Sequence, residues 1–340
     1  MGKLPAGQRR GRGRSRATGR ARGNAKIEAE RLPFHQSILL EAVVQAAECL
    51  AALPPEFRKI WDGTTGLGGH LFALGEHYPD ARLLASDADA VMLELARERL
   101  QQRVAVYRHA NFAENPFADE AQLGFIFLDL GISSAHFDYF ERGFSFRFDQ
   151  PLDMRMDTST GASAAQVLQT ESEEELARIF FEYGDEKLSR RIAREIVSRR
   201  RTDPVTTTTQ LAEICKKVYP PKYKAKGHAD RHPATRVFQA LRIAVNNELG
   251  VLRTALEQLP QQLAPGGRMA VISFHSLEDR LVKHAFRNLA YIPETDPRAK
   301  SNFRDGNFRL IEPGGIAPDE AEISQNPRSR SARLRILEKR

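Results

Sequence analysis

Four short apolar runs, at residues 59–61, 82–85, 104–107 and 125–128, recur at near-regular intervals with helical stretches such as 91–100 between several of them. Runs of that length without polar alternation read as strands buried on both faces, and strand–helix–strand repetition packs as a parallel sheet with helices outside it. The rhythm stops after Leu130 and returns at LAPGGRMAVISF, residues 263–274. The chain is therefore expected to be α/β, a doubly wound Rossmann-like sheet formed by 34–137 and 241–340, with a mostly helical domain inserted at 138–240.

Capping chemistry locates the helices. Ser37 is placed to cap a helix carrying Leu40, Val43, Val44 and Ala47, which Pro54 and Pro55 stop. Ser172 with Glu175 forms a capping box ahead of Leu176, Ile179, Phe180 and Tyr183, and Gly184 can end that helix. Thr207 with Gln210 starts another, with Leu211, Ile214, Cys215 and Val218 on one face. Phe238, Leu241, Val245, Leu249, Leu252 and Leu256 continue the helical period as one long amphipathic helix. No internal repeat is evident.

The formal charge of +7 is segregated. Residues 1–31 carry +8, 32–186 carry −15, 187–242 carry +11 and 243–340 carry +3. Two basic blocks beside one acidic block suit a polyanion held on one side of the molecule. The Gly/Arg-rich opening, within 1–33, lacks large apolar residues and reads as a disordered basic arm that adds salt-sensitive affinity for RNA. An organelle transit peptide is the alternative for this arm. Cys49 and Cys215 are too few for a disulfide framework or a four-cysteine zinc site, so no metal is assigned and a reducing, cytoplasmic setting is expected. The most apolar stretch, 38–53, is interrupted by Glu41 and Glu48, which argues against a membrane span.

The chemistry-bearing residues cluster at strand ends. IWDGTTGLGGH, residues 60–70, joins a strand to a helix, and glycines 63, 66, 68 and 69 let the backbone approach a ligand. Without a GK[ST] ending it is not a triphosphate-binding loop. Asp87 ends the second strand, 21 residues after Gly66, where a carboxylate can hold a ribose or cap the next helix. Phe112, after the third strand, can cover an adenine or join the core. Asp129 closes the fourth strand at the sheet edge where ligands bind. Ser273 and His275 follow the returning strand and are placed to contact a substrate, although a histidine at such a point is commonly structural. No Gly-x-Ser-x-Gly elbow frames either serine of this segment, so it is not a hydrolase triad.

IWDGTTGLGGH, LDLGISS, RGFSF, PLDMRMD, HPATRVFQALRI, PGGRMAVISFHSLEDR and NPRSRSARLRI, in that order, resemble the motifs of the MraW family of bacterial small-subunit ribosomal RNA methyltransferases. The resemblance covers nearly everything beyond the arm. It implies a class I methyltransferase sheet, S-adenosyl-L-methionine as cofactor, and N4 methylation of one cytidine in the decoding region of 16S ribosomal RNA. Carried over by position, it implies cofactor contacts at Gly68, Gly69, His70, Asp87, Phe112 and Asp129. A further contact, usually Gln, falls on His136, whose imidazole still donates one hydrogen bond but also titrates.

The cytosine amine is a weak nucleophile because its lone pair is delocalised, so attack on a sulfonium methyl needs alignment and an acceptor for an amino hydrogen. Asp129 is the expected acceptor, or else only a cofactor ligand. RNA is expected on the inserted helices, through Arg199, Arg200, Arg201, Lys222, Lys224, Lys226, Arg231, His232 and Arg236, with Tyr219 and Tyr223 interleaved for stacking. The 16S RNA within an assembling small subunit is the expected partner, and a homodimer is left open. Two rivals stand beside this reading: a dinucleotide-dependent oxidoreductase, and an RNA-binding assembly factor with a vestigial cleft.

Overall fold

The computed structural model describes residues 37–120, 122–133, 136–137, 141–219, 232–295 and 301–340. The basic arm lies outside them. The strands are β1 (Lys59–Asp62), β2 (Arg82–Asp87), β3 (Val104–His109), β4 (Leu123–Asp129), β5 (Leu263–Ser273), β6 (Tyr291–Pro293), β7 (Phe303–Asp305), β8 (Phe308–Ile316) and β9 (Arg333–Lys339). The helices are α1 (Leu40–Ala46), α2 (Gly69–His77), α3 (Ala90–Leu100), α4 (Ala164–Thr170), α5 (Glu173–Gly184), α6 (Ser189–Arg199), α7 (Thr208–Val218), α8 (Ala234–Val245), α9 (Glu248–Gln258), α10 (Ser276–Ala290) and α11 (Glu320–Gln325).

Seven strands form one sheet in the order β3-β2-β1-β4-β5-β9-β8, and β6 and β7 form a separate hairpin. The first five run parallel, and β9 is antiparallel to both neighbours. This is the doubly wound, Rossmann-like arrangement. Strand order reverses between β1 and β4, so their carboxyl ends splay around a crevice, the switch point where ligands bind in open α/β sheets.

Side-chain alternation divides the apolar residues between the two faces. Ile60, Phe125, Phe127, Ala270 and Ile272 face a layer containing α1, α2 and α3. Trp61, Ile126, Leu128, Met269 and Val271 face α9 and α10. Trp61 is fully buried, and its indole N–H donates to Ser86 Oγ at 2.9 Å. Each such large buried side chain contributes about 1.5–3 kcal/mol.

Between β4 and β5 the helices α4 to α8 enclose a separate apolar cluster that includes Leu168, Phe180, Ile196, Ile214 and Leu241, with Cys215 fully buried in it. α5 packs on α6 and α8. The expected division at 240/241 falls inside α8.

Two local expectations are corrected, and a third, the end of α5 at Gly184, holds. Ser37 does not cap α1; Leu39 precedes the helix in a left-handed conformation, and its N–H donates to Glu322 Oε1 at 2.7 Å. α5 does end at Gly184, but Asp185 takes the left-handed position, while Gly184 is small because the Arg236 carbonyl passes beside it. The single long helix is two. Asn247 adopts φ 46° between α8 and α9, and Asn246 bonds the inserted segment through Met154 O and Met156 N, both at 2.8 Å. These tertiary bonds outweigh continuation of the helix.

Candidate active site

A cleft of about 1050 Å³ opens at the switch point. After β1 the chain turns through Gly66 (φ 54°) and Gly68 (φ 82°), backbone conformations that favour glycine, and enters α2 at Gly69. The turn is tied to β2 by three contacts: Thr65 N and Thr65 Oγ1 both donate to Ser86 O at 3.1 Å, and Gly66 N donates to Asp87 Oδ2 at 2.7 Å. The other Asp87 oxygen accepts Asp89 N at 2.8 Å. Asp89, not Asp87, caps α3, accepting Val91 N and Met92 N. Asp87 thus stands in the cleft wall with both oxygens anchored. Burial pushes its carboxyl up to about 6, although hydrogen bonds from Asp89 and Gly66 oppose the shift.

Gly68 packs against Leu100 and does not line the cleft, whereas Gly69 and His70 do. His70 Nε2 lies 2.9 Å from Ile38 O. A carbonyl only accepts, so Nε2 holds the proton and the Nδ1 lone pair faces Asp129 Oδ2 at 3.7 Å. Burial lowers His70 to about 4, keeping the ring neutral.

Asp129 is held by its backbone N–H, which donates to Thr64 Oγ1 at 2.6 Å. Its Oδ1 is buried and has no hydrogen-bond partner among the described residues. Burial, then the charges of Asp62 and Glu278, raise its carboxyl well above the usual range. Burial likewise pushes Asp62 up to about 7. Neither Asp62 nor Asp129 has an Arg or Lys partner among the described residues. Crowded carboxyls of this kind favour a cationic occupant.

Phe112 lines the cleft, and Asn111 beside it closes a capping box with Glu114. His136 is buried in the wall with its ring edge-on to Phe144; its Nε2 lies 2.9 Å from Asp89 Oδ2, an oxygen shared with Arg142 Nη1 at 2.5 Å.

Ser273 and His275 do not line the cleft. Ser273 is buried in the sheet and donates to Arg333 O at 3.4 Å; His275 is the N-cap of α10, accepting Glu278 N on Nδ1. Alternation turns the residue between them, Phe274, into the cleft, together with Glu278. Arg242 and Glu248 also line it, paired through two bonds of 2.8 and 2.9 Å. Sequence reasoning missed these four, along with Asn326 and Arg328 on the rim. The usable signal for two of them was an Arg and a Glu set into a largely apolar helical stretch. Glu248, His275 and Glu278 have ligand-type atoms within 4.8 Å of one another, but Arg242 already holds Glu248 and His275 lies against Glu278.

Of the expected RNA-contacting residues, Arg199 pairs with Asp203, Arg200 Nη1 donates to Glu171 O at 2.6 Å, and Arg236 Nη1 donates to Asp185 O at 2.9 Å. Arg201 is exposed. His232 is exposed and lies 4.6 Å from the Phe146 ring, which itself lines the cleft. Lys222, Lys224, Lys226 and Arg231 lie outside the described residues, as does Tyr223. Among the described residues no helix is long and apolar enough to cross a membrane.

The profile of the MraW methylase family matches residues 33–340. A ribosomal RNA small subunit methyltransferase H from Trichormus variabilis is 49% identical over 281 residues, covering 82% of this chain and 85% of that protein. Its counterpart from Syntrophotalea carbinolica is 47% identical over 316 residues, covering 89% and 97%. A crystal structure of an rRNA methylase from Streptococcus thermophilus covers 87% of this chain and 94% of that one, at 10% identity and a TM-score of 0.38. With the family profile spanning all the described residues and relatives near half identical over most of their length, the chain belongs to the MraW methylase family.

Proposed function

We propose that this methylase transfers the methyl group of S-adenosylmethionine to the N4 amine of one cytidine in the decoding region of 16S ribosomal RNA, within the small subunit. The observation that carries the reading is that Asp87 and Asp129, two half-buried carboxyls at the ends of β2 and β4, line one cleft whose charge favours a cation. When bound, the cofactor supplies an electrophilic methyl on a positively charged sulfur. Gly69, at the start of α2, and the Gly66 turn permit close backbone approach; Asp87 accepts from ribose hydroxyls; Phe112 covers the adenine. His136 shapes the wall through Asp89.

Asp129 performs the chemistry assigned to this chain. Its Oδ1 accepts one amino hydrogen, localising the nitrogen lone pair and taking up positive charge as it develops. Ionised Asp129 is favoured beside a cation, which offsets the burial that raises its carboxyl. The neutral His70 ring facing its Oδ2 avoids adding a second fixed charge. The target base must leave its stack to reach this depth, so a loop or distorted helix is the expected substrate. Membership of a methylase family leaves the dinucleotide reading without support.

The test is methyl incorporation. Small subunits from cells lacking the gene are incubated with the protein and S-adenosylmethionine, and the digested RNA is analysed by mass spectrometry. One N4-methylcytidine in the decoding region is expected; no incorporation, or methylation at another atom, would overturn the reading and leave the assembly-factor alternative.

A further inference from the structure

Beyond Asp129 the cleft floor holds a second polar group. Arg242, in the last turn of α8, donates through Nε and Nη2 to the two oxygens of Glu248, in the first turn of α9, and both side chains are largely buried at 16% and 10% exposure. The break at Asn246 and Asn247 is what lets two residues six apart meet end to end. A bidentate pair fixes the guanidinium plane, so its remaining N–H groups have a set direction.

Gly131 places this guanidinium relative to the reaction. It has φ 96° in the turn leaving Asp129, and a Cβ added there would lie 3.7 Å from the Phe274 ring and 4.0 Å from both Nη atoms of Arg242. An aromatic ring and a fixed cation therefore border the turn that presents Asp129, and all of them line the same cleft. Glu278, 2% exposed, holds Phe274 in place by accepting its backbone N–H at 2.8 Å.

Cytosine offers an amino donor at N4 and, next to it, the acceptors N3 and O2. With N4 at Asp129, the neighbouring position needs a donor and the base plane needs a stacking surface. Resting on the proposed N4 methylation, we propose that Arg242 is the base-reading residue, donating to cytosine N3, with Phe274 as the stacking face and Glu248 as the positioning residue that aims the guanidinium. Uracil reverses the pattern, with an acceptor at position 4 and a donor at N3, and so meets Asp129 and Arg242 with like groups. A buried donor left unmatched discriminates strongly.

The experiment uses small subunits reconstituted with either cytidine or 3-deazacytidine at the target, the analogue keeping the amine and losing the N3 lone pair. Single-turnover methylation is measured with the full chain and with Arg242→Lys, which retains the charge facing Glu248. A preference for cytidine on the order of 10- to 100-fold is expected for the unaltered protein, the effect of one charge-assisted hydrogen bond. The preference should shrink to near unity in Arg242→Lys. Glu248→Gln, which loosens the guanidinium without removing it, should give an intermediate preference and serves if the first variant does not fold. Equal rates on both substrates, or an undiminished preference in both variants, would overturn the assignment. Failure of the function itself looks different: unmodified cytidine would then receive no N4 methyl group from the unaltered protein.

Discussion

Asp89 and His136, 47 positions apart, meet at 2.9 Å between Oδ2 and Nε2 in a cleft wall where neither side chain is more than 6% exposed. Arg142 closes on the same carboxylate from the start of the RGFSF segment, and it also donates to Met156 O at 3.1 Å. Asp89 simultaneously caps α3. One carboxylate thus ties the turn after β2, which presents Asp87, to the beginning of the helical insertion.

Removing the strongest of those ties should be costly. Arg142→Ala leaves Asp89 buried with less compensation, and breaking a buried pair from one side costs about 3–5 kcal/mol. His136→Gln preserves a donor of similar reach and should cost less than about 1.5 kcal/mol. Urea unfolding of the two variants measures both values. Equal losses would mean that Arg142 is not the principal partner.

Asp87 should make cofactor binding pH-dependent. Ribose hydroxyls donate to the ionised carboxylate, and burial holds the group up to about 6, so affinity should rise as pH increases through 6. The unliganded fold should respond in the opposite sense. Asp87 at about 6 and Asp62 at about 7 bind protons in the native state that the unfolded chain has released above its carboxyl value of about 3.9. Their contribution to stability is therefore fully present below about 3.9 and is lost as pH rises through 6 and 7. Asp89, pushed up by burial but brought below the usual value by His136 and Arg142, acts the other way, and its contribution is lost only as pH falls below about 3.9. Calorimetric titration with S-adenosylmethionine from pH 5 to 8 and thermal melts over the same range separate the two trends. Asp87→Asn should weaken binding roughly 10- to 100-fold and remove its pH dependence.

The sheet was legible because its signal is local. Each parallel strand is a short apolar run, and residues such as Trp61 and Ile126 are placed by period-2 alternation alone. The ends of β1, β2 and β4 were legible for the same reason, which is why Asp87 and Asp129 stand where strand endings put them. Ser273 and His275 were misplaced because the neighbouring residue, Phe274, is the one that alternation turns inward. The pairing of Arg242 with Glu248 was hidden for a different reason. The helical period runs unbroken from Phe238 to Leu256, and only the tertiary bonds of Asn246 to Met154 and Met156 reveal the break that pairs them.

Asp129→Asn separates chemistry from cofactor retention. The amide keeps the shape and one acceptor but cannot take up positive charge, and loss of a positioned acceptor of this kind costs about 10²–10⁴-fold in rate. Single-turnover methylation should fall by that order while S-adenosylmethionine affinity changes far less. A weakened affinity with an unchanged rate would confine Asp129 to cofactor binding.

The arginines at the end of α6 should divide by what already holds them. Arg200 donates to the Glu171 carbonyl and so ties α6 to the segment between α4 and α5. Arg199 pairs with Asp203, whereas Arg201 is exposed and makes no hydrogen bond or ion pair among the described residues. A side chain that neutralises a phosphate reveals itself in the salt dependence of binding, to whose slope each neutralised phosphate adds about 0.7–0.9. Arg201→Ala should therefore lower the slope by about that amount with little change in unfolding free energy. Arg200→Ala should instead lower stability by about 0.5–1.5 kcal/mol, the net worth of a typical hydrogen bond. Binding of small-subunit RNA across a salt series, run beside urea unfolding of the same variants, checks both. An unchanged slope for Arg201→Ala would remove this end of α6 from the RNA-binding face.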